Sequence, residues 1–305
     1  MTPEIITPRD VPLGGPRAMT VRRTLPTRSR TLVGPWCFVD HYGPDDVARS
    51  GGMLVPPHPH TGLQTVSWLF AGEIEHRDTT GAHGLVRPGE VNLMTAGHGV
   101  AHSEVSTPGT DVLHGAQLWL ALPDASRDVP PAFEHHVPDV VHVDGGELRV
   151  FVGSYGGVSS PVRTYSSVLG VEVVVAPGAQ LVLALDPACE HALLVDRGPV
   201  AVDGAPIAVG ELGFLRAGSG GAVLADTSGA GARALLLGGA PFGEEILMWW
   251  NFVARSHDEI VEQREAWQAR SSRFGDVPGY VGDPQWLPAP ELPHARLRPR
   301  TNPPA

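Results

Sequence analysis

Up to about residue 240, short apolar runs and period-two alternation of apolar and polar positions dominate, broken repeatedly by glycine and proline. "GLQTVSWLFAGEIEHRD" alternates and breaks at Ala71-Gly72, "VRPGEVNLMTAG" reads as a turn and a short strand, and "GAQLWLALP" is a strand closed by Pro123. After the softer stretch "DASRDVPPAFEHHVPDV", strands resume with "ELRVFVGSYGG", "VEVVVAPGAQLVLALD", "HALLVDRGPVAVDG" and "ARALLLGGAPF". Strands joined by Gly/Pro turns predict an all-β protein built of sandwiches or barrels. One helix is expected later, in "SHDEIVEQREAWQAR": Ser256 with Glu259 three residues on forms a capping box, and Ile260 and Trp267 share one face. The proline-rich end, "LPAPELPHARLRPRTNPPA", is expected to run extended along the surface or stay partly disordered.

The two strand-rich halves look like copies of one unit. Gly89-Glu90 aligned on Gly210-Glu211 also sets Gly97 on Gly218 and Gly99 on Gly220, and upstream Gly72 pairs with Gly198. The expected division is an N-terminal barrel at 1–125, a linker at 126–145, a second barrel with the helix at 146–270, and a tail at 271–305. The copies differ in one respect. Without gaps, His102 falls opposite Val223 and Glu104 opposite Ala225, while His58 and His60 fall near Ala184 and Asp186.

That difference locates candidate chemistry. Residues two apart on a strand point to the same face, so "HPH" presents His58 and His60 together, and "HSE" presents His102 and Glu104 together. If both pairs face a barrel interior, three imidazoles and a carboxylate converge. That donor set suits one first-row divalent metal: Fe(II), Mn, Ni, Cu or Zn. An isolated His-x-His is a weak signal; two matched pairs, both missing from the second copy, are stronger.

Composition narrows the classes. A formal charge of −11 argues against nucleic-acid or anionic-membrane surfaces. The arginine-rich start, "RDVPLGGPRAMTVRRTLPTRSR", reads as a solvated segment. Two cysteines, Cys37 and Cys189, exclude a disulfide framework, and Cys37 reads as a small buried residue. No signal-peptide-like or membrane-spanning apolar run is seen, so a soluble, cytoplasmic protein is expected, a monomer with room for a protein partner.

The runs "GPWCFVDHYGP", "HPHTGLQTVSWLFAGEIEHRD", "RPGEVNLMTAGHGVAHSE" and "GEEILMWWNFVARSHDEI" resemble the pirin family of bicupin proteins from about residue 20 to 270. The resemblance implies two cupin (jelly-roll) barrels packed face to face. It also implies one mononuclear metal, usually iron, held in the N-terminal barrel by His58, His60, His102 and Glu104. It further implies oxidation of a flavonol such as quercetin by O2, with Glu104 as general base. The alternatives are a metal-binding regulatory or redox-sensing protein without turnover, and a cupin acting on another small molecule. Two departures stand out: Gln64 occupies a position where many pirins have Glu, and "AGHG" replaces the family's "AGRG", bringing His98 near the cluster. Gln64, His98, Trp68 and Met94, with Phe70 and Leu93, are expected around the pocket, half of the strand residues pointing outward. His76 reads as a hydrogen-bonded strand residue, and Asp40 and His41 as packing near a barrel mouth.

Overall fold

The computed structural model describes residues 2–13 and 19–302, so residues 14–18 of the arginine-rich segment and 303–305 of the tail lie outside the described residues. The chain forms two compact units, each assembled from separate segments. The first contains Val11–Val21, Tyr42–His135 and Gly243–Ala305; the second contains Met1–Asp10, Arg22–His41 and His136–Phe242. Residues 22–41, read from sequence as part of the first barrel, are thus grouped with the second unit. The reason is local: Trp36 is fully buried, and its Nε1–H donates to the carbonyls of Leu169 (3.0 Å) and Gly238 (3.2 Å). Two arginines of this segment are held rather than solvated. Arg23 grips the buried carboxylate of Asp40 with two bonds of 2.7 and 2.8 Å, and Arg30 bonds Glu4 while stacking on Phe214.

In the second unit, a sheet ordered Glu4–Ile6, Leu212–Leu215, Glu190–Arg197, Ala232–Gly239, Val168–Val175, Gly146–Val152 and Val141–Val143 shares one core with a four-stranded sheet. The latter runs Gln180–Ala184, Gly221–Asp226, Val200–Val202, Ala205–Ile207. Its inward positions include Leu181, Leu183, Ala222 and Leu224, with Leu181 paired to Leu224 and Leu183 to Ala222. Val223 and Ala225, opposite His102 and Glu104 in the ungapped repeat, lie on the other face of their strand. The copies fall out of phase beyond the shared turn. Gly89 and Gly210 both take positive φ (76° and 86°), whereas Gly99 sits at 157° and Gly220 has no positive φ. In the second unit, leucines fill the interior.

The first unit repeats the plan. One sheet orders Leu54–His60, Val100–Ser106, Ile74–Asp78 and His83–Val86; the other runs Ala132–His136, Val91–Thr95, Leu63–Ala71, Val112–Ala121 and on to Trp36–Asp46. Val55, Leu69, Ile74, Val86 and Leu113 meet between them. The stretch expected as a linker therefore contributes an edge strand, Ala132–His136, which the preceding Pro130-Pro131 pair disguises in the sequence.

The helix His257–Gln268 starts as expected: the Ser256 hydroxyl accepts from Glu259 N–H, and Ile260, Gln263 and Trp267 are buried. The tail runs along it. Trp267 Nε1–H donates to the Leu287 carbonyl at 2.8 Å, Gln268 accepts from Ala289 N–H, and Leu297 N–H donates to His257 Nδ1. The tail is thus docked against the helix at Leu287, Ala289 and Leu297. Among the described residues no helix is long and apolar enough to cross a membrane.

Gly62 closes the turn between Leu54–His60 and Leu63–Ala71 at φ +67°, and any Cβ there would collide with the Val253 carbonyl. Gly51 also has positive φ (87°) but faces open space. Urea unfolding is expected to show a loss of about 1 kcal/mol for Gly51→Ala, from backbone strain alone. Gly62→Ala should lose about 3 kcal/mol or more, strain and collision together; equal losses would show that the collision is relieved by backbone movement.

Candidate metal centre

The strand that opens the site reads "LVPPHPH", and its three prolines cannot donate to a ladder. It accordingly lies at the edge of its sheet and pairs only with Val100–Ser106. In that antiparallel register His58 stands opposite His102 and His60 opposite Val100. A bulge between His102 and Glu104 shifts the pairing so that Glu104 faces Val55. On the other side of Val100–Ser106, His102 pairs with Asp78 and Glu104 with His76 of Ile74–Asp78. The four residues expected from spacing are therefore brought together and buried: His58 is 6% exposed, His60 1%, His102 0% and Glu104 6%.

Ring centroids of the three histidines lie 4.3 to 5.0 Å apart. One nitrogen each from His58, His60 and His102 lies within 4.8 Å of the others. A second group, His76, His102 and Glu104, meets the same limit and shares His102. His76 thus stands beside the cluster as well as being hydrogen-bonded on its strand. Sequence reasoning passed over it, although "HRD" repeats the two-apart spacing with His76 and Asp78.

Hydrogen bonds orient each ring. His58 Nδ1–H donates to the Pro56 carbonyl at 2.9 Å and His60 Nδ1–H to the Asn251 carbonyl at 3.2 Å, leaving both Nε2 atoms as lone-pair donors. Asp78 is anchored by Thr80 and by Ala82 N–H, and it accepts from His76 Nε2–H at 3.0 Å. With neutral rings, His76 Nδ1 then accepts from His102 Nδ1–H at 3.3 Å, which turns the lone pair of His102 Nε2 toward His60 Nε2, 3.0 Å away. Two acceptors facing each other at that distance repel. Either a proton or a cation between them relieves the repulsion.

Burial disfavours a proton on His58, His60 or His102 themselves. It pushes His58 down to about 4, and it holds His60 and His102 well below the usual imidazole range, helped in both by the neighbouring histidines. Burial also raises Glu104. Asp78 is likewise pushed up by burial, but hydrogen bonds from His76 and Thr80 outweigh this and hold it below the usual carboxylate range. Three inward imidazole lone pairs, a carboxylate on the adjacent position and partners fixing the tautomers are the donor set a first-row divalent metal requires.

Strand parity sorts the remaining candidates. Ser67 Oγ lies 3.5 Å from Glu104 Oε1 and donates to Gln117 at 2.9 Å, and Trp119 packs edge-on to His60 at 5.1 Å. The cluster-facing positions of Leu63–Ala71 are thus Thr65 and Ser67. Through their pairing, Met94 and Asn92 share that face. Gln64 and Trp68, expected at the pocket, are on the opposite face; Gln64 instead donates to Thr95 at 2.9 Å. Phe70 and Leu93 share that outer face. His98 is exposed, on a turn whose N–H donates to the Val129 carbonyl, and is not part of the cluster. Phe133, from the stretch expected to be a linker, stacks on His76 at 4.6 Å. Asp40 and His41 are fully buried in the second unit, His41 bonded to Asp196 at 2.8 Å. Cys37 is fully buried.

Comparison with known proteins places the chain among relatives. The family profile described as Pirin matches residues 18–120, and the one described as Pirin C-terminal cupin domain matches residues 170–275. The chain is 46% identical over 290 residues to a Pseudomonas aeruginosa protein named "Putative quercetin 2,3-dioxygenase PA1205", covering 94% of this chain and 90% of that one. It is 33% identical over 283 residues to a Caulobacter vibrioides "Pirin-like protein", covering 89% and 94%. The crystal structure of quercetin 2,3-dioxygenase from Acinetobacter baumannii superposes with a TM-score of 0.91 at 39% identity, covering 97% of each chain. A nickel(II) complex of the Escherichia coli pirin YhhW shares the fold, with a TM-score of 0.60 at 17% identity over 78% of this chain and all of that one. With two matching domains in the order found here, the chain belongs to the pirin family.

Proposed function

We propose that His58, His60, His102 and Glu104 hold one divalent first-row metal, iron(II), and that the chain oxidises a flavonol with dioxygen. One observation carries the metal assignment: buried imidazole lone pairs held 3.0 Å apart, with their outer nitrogens already committed. The relatives named for quercetin 2,3-dioxygenase support the substrate class. Nickel, named for the E. coli relative, suits the same donors.

When bound, the ion supplies Lewis acidity toward the flavonol oxygens and redox partnership toward dioxygen. The protein supplies position and proton control. Pro56, Asn251 and the Asp78–His76 pair hold the three histidines in one tautomer and orientation. Glu104, made more basic by burial, accepts the proton of the flavonol 3-hydroxyl on a carboxylate oxygen and later returns it to the product. Trp119 and Met94 line the cluster-facing side and exclude water. The stoichiometry closes as flavonol plus O2 giving a ring-opened ester and carbon monoxide. The two ring bonds to the carbon bearing the 3-hydroxyl break and that carbon leaves with its own oxygen as CO; one atom of O2 becomes the ester carbonyl oxygen, and the other turns the former ring carbonyl into the carboxylic acid that takes the returned proton.

Reconstitution with Fe(II) followed by elemental analysis is expected to give one metal per chain, with His102→Ala retaining less than about a tenth. Glu104→Gln should keep the fold and lower quercetin decay, followed by absorbance, by at least about a hundredfold. Full metal occupancy with no quercetin decay in the unaltered chain would favour the regulatory reading. Asp78→Asn should weaken metal affinity about ten- to hundredfold through loss of ring orientation.

Metal-free protein should also show a defined pH dependence. His58 falls from 6.5 unfolded to about 4 folded, so its neutral form is favoured by folding. Its contribution is present above pH 6.5 and is lost as pH drops toward 4, on the order of 3 kcal/mol. His60 and His102 act in the same direction, while Glu104, raised on folding, opposes them. A net decline in unfolding free energy from pH 6.5 to 4 is expected in chelator-treated protein. A flat profile would show that the histidines are solvated.

A further inference from the structure

The second unit keeps the barrel and has apolar residues at the inward positions of its paired strands Gln180–Ala184 and Gly221–Asp226, yet it is not uniformly apolar. A cavity of about 610 Å³ lies wholly within it, walled by Leu148, Val150, Leu181 and Leu183 and reaching Asp186, Cys189 and His191. On Glu190–Arg197, alternate residues point inward. Leu193 and Val195 belong to the core, and His191 shares their parity. His191 is only 2% exposed, and its Nδ1 has no hydrogen-bond partner. Its ring is held close against Gly238, directly opposite on the neighbouring strand, where a Cβ would meet Cδ2 at 2.7 Å.

A buried imidazole nitrogen without a partner is costly in a folded protein and calls for a group to meet it. The cavity has room for such a group: its volume falls within the span of about 300–1,000 Å³ typical of small-molecule sites. Charge narrows the ligand. The residues lining the cavity include Asp144 and Asp186 and no lysine or arginine, so carboxylates and phosphates find no counter-charge. The Asp186 carboxylate already accepts from Ala188 N–H. A hydroxyl both donates and accepts, and so satisfies either tautomer of His191.

We propose that this cavity is a second small-molecule site, distinct from the candidate metal centre, which binds a neutral, mainly apolar molecule carrying a hydroxyl group, with His191 as its polar anchor. The site belongs to the second unit alone and does not depend on metal.

Calorimetric titration of the full chain with 1-naphthol, naphthalene and 1-naphthoate tests it. One naphthol should bind per chain, equally well in the unaltered protein and in His58→Ala. Naphthoate should bind at least about tenfold more weakly, for want of a cation. His191→Leu should weaken naphthol about tenfold, the loss of one hydrogen bond, while leaving naphthalene unchanged. Val143 lines the cavity, is 37% exposed and shares the strand face of Val141, which packs against the core, so Val143→Trp narrows the site from its rim and should abolish naphthol binding with quercetin turnover unchanged. This variant keeps the test decisive if His191→Leu does not fold. The proposal is overturned by naphthol binding that survives Val143→Trp, by binding lost in His58→Ala, by naphthoate binding as tightly as naphthol, or by no naphthol binding at millimolar concentration.

Discussion

The arrangement depends on one close approach: the Nε2 atoms of His60 and His102 meet at 3.0 Å among fully buried side chains. No isolated peptide would keep them there. Their positions are imposed from outside by a proline-bearing edge strand, by a bulge that lets Glu104 follow His102, and by carbonyls and Asp78 holding the outer nitrogens. Surrounding ladders and the apolar core hold three imidazoles and a carboxylate together in the interior, and costly buried polar groups of this kind are characteristic of sites built for function.

The same plan appears twice in one chain with opposite use. In the first unit the paired strands turn imidazoles and a carboxylate inward; in the second, the corresponding strand pair turns Leu181, Leu183, Ala222 and Leu224 inward. A leucine-lined interior offers nothing to a metal, and burial of those side chains stabilises the unit directly, at roughly 1.5–3 kcal/mol for each fully buried leucine. Among the buried polar groups that remain there, His191 stands at the edge of a cavity. The two interiors thus differ in chemistry, one lined by metal-ligand types of side chain and the other mainly apolar.

Much of the site was legible from spacing. Period two in a strand obliges His58 to share a face with His60, and His102 with Glu104, whatever the rest of the chain does. The capping box at Ser256 and Glu259 was equally local, because the bonds it predicts span three residues. His76 escaped because its partner Asp78 lies on the same strand, which made an ordinary hydrogen bond a sufficient explanation.

Sequence by itself determined that the chain is built of strands, that it contains a duplicated unit, and which residues travel in pairs. These follow from backbone periodicity and from glycines that hold turns in place. Only the tertiary structure decided which face of Leu63–Ala71 meets the histidines. That strand is buried on both sides along most of its length, so no polar face marks the outside, and Gln64 and Trp68 are as plausible inward as Thr65 and Ser67. The placement of residues 22–41 with the second unit, and of Phe133 on His76, likewise rests on contacts between segments far apart in the chain. Alternation fixes which side chains move together; packing chooses the direction in which they point.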